Sequence, residues 1–121
     1  MAPPLGSLLI GSSNVEAMKD FYRKGFDVTE NDMGAFDFGG VQLFIEEHTE
    51  VKGPTKEPAR VIINLNVDDA KSLGKQLEGI GAKFVRPVEQ ADFGIIGTIA
   101  DPDGNYVQII QWGATPEAHR S

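Results

Sequence analysis

Residues 101–110 have the sequence DPDGNYVQII and join a turn directly to a strand. Residues 101–105 are of the types that tight turns require, and residues 106–110 are rich in strand-forming side chains. Successive side chains of a strand point to opposite faces of its sheet. Gln108 is therefore expected to face away from the valine and the isoleucine beside it, so that a neutral amide occupies the second face.

The segments outside this stretch follow the order β-α-β-β-β twice. Each half is predicted to contain one amphipathic helix, because apolar residues recur there at helical spacing. The helical positions are Val15, Met18, Phe21 and Tyr22 in the first half, and Ala70, Leu73, Leu77 and Ile80 in the second. The predicted strands are 7–11, 26–29, 35–38 and 41–46 in the first half, and 60–67, 83–87, 94–100 and 106–112 in the second.

Side-chain caps are predicted for both helices. Ser13 with Glu16 three residues later resembles a capping box, and Asp68 or Asp69 is expected to cap the second helix.

The two halves also resemble each other in detail, since FGGVQLFI and PDGNYVQII both place a glycine-containing turn before a Val-Gln-aliphatic strand. The predicted fold class is α+β, with two tandem βαβββ modules that form a curved mixed sheet.

The length of 121 residues fits a single domain spanning residues 1–121. Module one is expected at about 5–47, a polar linker rich in Pro and Gly at about 48–59, and module two at about 60–113. A net charge of −7 disfavours nucleic acid and anionic membranes as partners. The absence of cysteine excludes disulfides, thiolate nucleophiles and Cys-based zinc sites, and we expect a cytoplasmic protein without a signal peptide or membrane span.

Strand alternation assigns the side chains of the predicted sheet to two faces. We expect Val41, Leu43 and Ile45, the odd-numbered aliphatic residues from Val61 to Val67, and Val107 with Ile109 to pack against the helices. Residues of the opposite parity are expected to line a concave cup that binds a ligand. They are Ser7, Gln42, Phe44, Glu46, Ile62, Asn64, Asn66, Tyr106, Gln108, Ile110 and Trp112, with Leu9 and Phe93 as further candidates.

Three motifs make the chain similar to the vicinal oxygen chelate superfamily, which contains glyoxalases, bleomycin resistance proteins and extradiol dioxygenases. They are SNVEAMKDFY at 13–22, VIINLNVDD at 61–69 and DPDGNYVQII at 101–110. The resemblance spans nearly the whole chain and implies the paired βαβββ fold, a ligand cup and a homodimer.

Metal-dependent members of this family hold a divalent ion at four positions, which the resemblance matches to Ser7, Phe44 or Glu46, Ile62, and Gln108. Isoleucine cannot coordinate a metal, and serine and glutamine are weak ligands beside histidine and carboxylate. We therefore expect no metal and no other cofactor, and metal-dependent glyoxalase or dioxygenase activity is disfavoured. Glu46 with His48 is a possible two-ligand pair, although His48 and His119 lie outside the family's ligand positions.

Two classes of function remain open from the sequence. The first is a protein that binds or sequesters a small planar or aromatic organic molecule, since aromatic faces stack on planar ligands and amides both donate and accept hydrogen bonds. The second is a lyase, isomerase or dioxygenase-like enzyme acting on a small carbonyl substrate, with Glu46 or Tyr106 moving a proton. A structural protein whose cup is plugged by its own side chains is a third alternative. For Asn64 and Asn66, cross-strand bonding to Gln42 or Gln108 without any ligand is an alternative to ligand binding, because buried amides must find partners.

Overall fold

The computed structural model describes residues 2–113. The chain divides into two compact units, residues 1–53 and residues 54–121. We call them unit one and unit two, and each is described by itself. The boundary between them falls inside the segment 48–59, where the sequence predicts a linker.

Unit one contains three strands and one helix. They are β1 (Ser7–Ser12), α1 (Val15–Phe26), β2 (Phe36–Phe38) and β3 (Val41–Glu47). Strand β3 is central, parallel to β1 and antiparallel to β2. Helix α1 buries Met18, Phe21 and Tyr22, and the Tyr22 ring lies 5.8 Å from that of Phe36. The apolar face predicted for the first helix is therefore confirmed.

Two local predictions for unit one are wrong. Residues 26–29 do not form a strand, because Phe26 is the last residue of α1 and Asp27 adopts the left-handed conformation (φ 54°) that ends the helix. The N-cap of α1 is Asn14, without a side-chain capping bond, rather than Ser13. The Ser13 hydroxyl instead accepts a hydrogen bond from the backbone N–H of Gly53.

Unit two contains four strands and one helix in the predicted β-α-β-β-β order. They are β4 (Ile63–Asn66), α2 (Ala70–Gly79), β5 (Lys83–Ala91), β6 (Gly94–Ala100) and β7 (Tyr106–Trp112). The sheet order is β4-β7-β6-β5, with β4 parallel to β7 and the other pairs antiparallel. Both sheets thus contain parallel and antiparallel pairs, and the α+β fold class is confirmed, with seven strands among the described residues rather than eight.

Helix α2 docks closely on the sheet of unit two. A Cβ atom added at Gly74 of the helix or at Gly97 of β6 would lie 2.7 or 2.8 Å from Cγ2 of Val88, so one valine fills the space that both glycines leave. Asp69 caps the helix by accepting the backbone N–H of Ser72 at 3.0 Å, as the sequence predicts. These contacts fix the helix to one face of the sheet.

The strands that enter and leave α2 differ in length from the predicted ones. Strand β4 is shorter than the predicted 60–67, and Val61, which precedes it, is 70% exposed, so its predicted place in the core is wrong. Strand β5 runs past the predicted 83–87 to Ala91 and contains two register irregularities, which sequence alternation alone does not reveal. No helix within residues 2–113 is long and apolar enough to span a bilayer.

Candidate functional site

The turn before β7 is built around the carboxylate of Asp101. Its Oδ1 accepts the backbone N–H groups of Asp103 and Asn105, each at 2.9 Å, and the Asn105 side chain donates to both carboxylate oxygens. Asp101 is only 4% exposed, and this burial raises its pKa above the ordinary value. The DPDGN motif is therefore a hydrogen-bonded turn that fixes how β7 pairs with β6.

Gln111 shows which face of the unit-two sheet lies against α2. Its Oε1 accepts the backbone N–H of Ala70, the first residue of α2, at 2.9 Å. Val107 and Ile109 share this parity and are fully buried, as the sequence predicts. Gln108, Ile110 and Trp112 therefore belong to the opposite face.

We call this opposite face the carboxamide face. Its central row consists of Asn64, Gln108 and Thr98, because Gln108 of β7 is the register partner of Asn64 on β4 and of Thr98 on β6. Asn64 is exposed, Gln108 is half-buried and Thr98 is 4% exposed. Within residues 2–113 the side chains of Asn64 and Gln108 make no hydrogen bond.

An aromatic pair lies at one end of the carboxamide face. The rings of Phe93 and Trp112 lie 5.2 Å apart, and the two residues are 40% and 59% exposed. The indole N–H of Trp112 donates to Oδ1 of Asn66 at 2.8 Å. Asn66 is therefore bonded to Trp112, and not to Gln108 as the alternative without a ligand requires.

A cleft of about 530 Å³ lies at the Tyr106 end of β7, and it falls within the size range of small-molecule sites. Lys83, Val85 and Tyr106 of the sheet line it, together with Pro54, Pro58 and Pro102. The backbone N–H of Thr55 donates to the carbonyl of Asp103 at 2.9 Å, which attaches the proline-containing segment to the turn. Tyr106 has the parity of Gln108, so the cleft adjoins the carboxamide face.

Gln42 occupies the equivalent place in unit one, where its amide is engaged by neighbours. Oε1 accepts from Nδ2 of Asn31 at 2.7 Å, and Nε2 donates to Oδ1 of Asp37 at 3.0 Å. Ser7 and Asp37 are the register partners of Gln42 on the adjacent strands. The oxygen and the NH₂ group of Gln42, which are predicted to bind a ligand, are instead hydrogen-bonded to other residues of the protein.

The other predicted site residues have varied surroundings. Phe44 is half-buried opposite Leu9, and Glu46, the predicted proton carrier, is exposed near the end of β3. Ile62 precedes β4 and is half-buried, whereas Ile110 lies on the carboxamide face with only 5% of its surface exposed. Ile110 can therefore serve only as the floor of a site on this face.

The donor groups do not fit the divalent ion that the family resemblance implies. Across residues 2–113, no group of three or more histidine, aspartate and glutamate side chains is placed to hold a metal ion. Ile62 offers no donor atom, and Gln108 offers a neutral one. Nδ1 of His48 accepts the backbone N–H of Glu50, and His119 lies outside the described residues.

Thr98 is the residue of the central row that sequence reasoning missed. Strand 94–100 was predicted correctly, but its side chains were not assigned to faces, because GIIGTIA shows no apolar-polar alternation. The pairing of β6 with β7 supplies the assignment. Thr98 is the polar residue in that run, and its polarity was the signal in the sequence that could have assigned the faces of this strand.

The model of the Glyoxalase/Bleomycin resistance protein/Dioxygenase superfamily matches residues 5–109. A glyoxalase-related enzyme from Fulvimarina pelagi has a similar fold (TM-score 0.72, 20% identity, 91% of this chain and 88% of that one). So has a glyoxalase/bleomycin resistance protein/dioxygenase family enzyme from Burkholderia phytofirmans PsJN (TM-score 0.74, 18% identity, 91% and 99%). TnmS3, an antibiotic binding protein from Streptomyces sp. CB03234, is also similar (TM-score 0.68, 17% identity, 93% and 98%). No curated protein sequence matches the chain.

Proposed function

Because this chain belongs to the glyoxalase/bleomycin resistance protein/dioxygenase superfamily, we propose that it binds or sequesters a small planar or aromatic organic molecule without a metal ion. The proposed site is the carboxamide face of unit two and the cleft beside Tyr106. The observation that carries the proposal is the pair of carboxamides, Asn64 and Gln108, which lie in register without hydrogen-bond partners among residues 2–113.

The surroundings of this pair suit a planar ligand. Phe93 and Trp112 offer exposed aromatic surface at one end of the face, and aromatic stacking contributes about 0.5–1.5 kcal/mol per pair beyond area burial. The cleft at the other end supplies volume. One of the structures of similar fold is an antibiotic binding protein, which supports the binding of a small organic molecule as a function of this fold.

The fluorescence of Trp112 provides the test, because it is the only tryptophan in the chain. Titration with naphthalimide, an anthraquinone and a flavin is expected to quench its emission for at least one ligand. Replacing Phe93 with alanine is expected to weaken that binding about fivefold through loss of stacking. Binding is measured by calorimetry on the same samples.

A control variant separates this site from the rest of unit two. Lys71 is exposed on α2, which packs on the other face of the sheet, so Lys71→Ala is expected to leave the affinity unchanged. Silence of both fluorescence and calorimetry across the panel contradicts the proposal. An equal loss of affinity in Lys71→Ala and Phe93→Ala contradicts the assignment to the carboxamide face.

The proposal also includes a homodimer, as the family resemblance implies, and a location in the cytoplasm, with which the absence of cysteine is compatible. Large apolar side chains at Leu5, Leu9 and Met33 are more than half exposed in unit one, and association of two chains is one way to cover such surface. Sedimentation of the purified protein is expected to give twice the mass of the chain. A monomer at micromolar concentration contradicts this part.

A further inference from the structure

We infer that the ligand presents to Asn64 and Gln108 an uncharged edge that carries both a hydrogen-bond donor and an acceptor, as lactams, cyclic imides and primary amides do. The inference rests on the function proposed above and names the chemical class of its ligand. It begins from the register of β4 and β7, which places the two carboxamides side by side on neighbouring strands. Neighbouring strands lie about 4.8 Å apart.

The hydrogen-bonding capacity of a carboxamide defines its complement. Each amide has an oxygen that accepts and an NH₂ group that donates, and neither atom is charged. A carboxylate ligand offers acceptors only, and would leave the amide oxygens without donors. A ligand edge that alternates donor and acceptor satisfies both side chains together, which matters because an unsatisfied polar group in a contact costs about 1–3 kcal/mol.

The charged residue in register with this row already has an ionic partner. Arg86 is the register partner of Thr98 on β5, but its Nε donates to Oε1 of Glu89 at 2.7 Å. The guanidinium therefore already has a counter-charge. Thr98 adds a hydroxyl, which is also neutral and able both to donate and to accept.

Unit one shows that the protein can satisfy an amide at this position when it supplies partners. Gln42 is the central residue of the corresponding row, and Asn31 and Asp37 take up its oxygen and its NH₂ group. Asn31 donates a hydrogen bond to Gln42, and Asp37 accepts one from it. A ligand for Gln108 and Asn64 is inferred to supply the same complement, with the charge of Asp37 replaced by a neutral acceptor.

Three probes that share a naphthalene ring system test the inference by calorimetry. Naphthalimide carries an N–H group between two carbonyls, N-methylnaphthalimide lacks the donor, and naphthoate is an anion. We expect naphthalimide to bind about five to ten times more tightly than N-methylnaphthalimide, the ratio that corresponds to one net hydrogen bond. Naphthoate is expected to bind most weakly.

Two variants connect this preference to the carboxamides. Gln108→Leu and Asn64→Leu each replace one amide with an apolar side chain, and each is expected to reduce the preference for naphthalimide to less than about twofold. Lys71→Ala is expected to retain it. If circular dichroism shows that one leucine variant is unfolded, the other variant carries the test.

The outcomes separate this inference from the proposed function. Equal affinity of the wild-type protein for naphthalimide and its N-methyl derivative, with binding weakened by Phe93→Ala, overturns the inference and leaves the proposed function in place. Tightest binding of naphthoate does the same. Absence of binding for all three probes overturns both.

Discussion

The two units place a glutamine at the same point of the same local architecture, yet they use it differently. In each unit the glutamine lies on the strand that pairs in parallel with the strand before the helix and antiparallel with another strand. The side chain of Gln42 is hydrogen-bonded through both its oxygen and its NH₂ group, whereas the side chain of Gln108 makes no hydrogen bond within residues 2–113. A shared motif therefore has a structural role in one unit and an available binding group in the other.

The aspartates that precede the two glutamines account for this difference. In unit one, Oδ1 of Asp37 accepts both the backbone N–H of Gly40 and the side chain of Gln42. In unit two, the carboxylate of Asp101 is used entirely by the residues of its own turn, Asp103 and Asn105. Asp101 therefore makes no hydrogen bond to the side chain of Gln108 on β7.

The largest expected effect comes from removing the carboxylates of these two aspartates. Asp101→Ala leaves two backbone N–H groups of a buried turn without their acceptor, and is expected to lower the free energy of unfolding by about 2 kcal/mol. Asp37→Ala acts at an exposed site and is expected to cost about 0.5–1 kcal/mol. Urea denaturation measures both. An equal loss of unfolding free energy for Asp37→Ala and Asp101→Ala would contradict the different roles assigned to the two carboxylates.

The second prediction concerns the glutamines directly. Gln42→Leu deprives Asn31 and Asp37 of their partner, so we expect a loss of about 1 kcal/mol in the free energy of unfolding. Gln108→Leu breaks no hydrogen bond within the described part of the chain and is expected to stay within about 0.5 kcal/mol of wild type. The same denaturation curves report both values. Destabilisation by Gln108→Leu beyond that range would indicate an internal role for this amide.

The smallest expected effect is a difference in acid response between one carboxyl in each unit. Arg23 donates two hydrogen bonds to Glu30 in unit one and lowers its pKa from 4.5 to about 2. The folded state then binds fewer protons at this group than the unfolded state, so its contribution to stability is present above pH 4.5 and is lost as the pH falls toward 2. Glu30→Gln is expected to lack this loss.

Asp101 in unit two is expected to respond with the opposite sign. Burial raises its pKa, so the folded state keeps the proton over a range where the unfolded state has released it. The contribution of this carboxyl to stability therefore decreases as the pH rises through that range, and increases on acidification. Denaturation of Asp101→Asn and Glu30→Gln beside wild type from pH about 2 to 6 checks both signs. Parallel pH profiles for the two variants would contradict them.

Much of this comparison was predictable from sequence, because strand alternation depends on local pattern. The parity of Gln108 with respect to Val107 and Ile109 followed from alternation, and the buried face of α1 followed from helical spacing. The strand predicted at 26–29 failed because its apolar start is the last turn of α1, and the left-handed Asp27 has no signature as distinctive as glycine.

The hydrogen-bond partners of the amides were not predictable from sequence. Asn31 reaches Gln42 from a loop eleven residues earlier, and Trp112 reaches Asn66 across 46 positions of the chain. Such pairings depend on the register of strands and on loop conformation, which periodicity does not encode. The register places Asn64 beside Gln108, whereas the family resemblance matches Ile62 to a ligand position.

The bond between Gln111 and the first residue of α2 has a consequence for how unit two would receive a ligand. Gln111 and Gln108 lie on opposite faces of one strand, so a slip of β7 by one residue would release the end of the helix and reverse the two faces together. The polar row is therefore held in position before any ligand arrives. Ligand binding is therefore expected to order little of the chain, and calorimetry is expected to record only a small loss of conformational entropy.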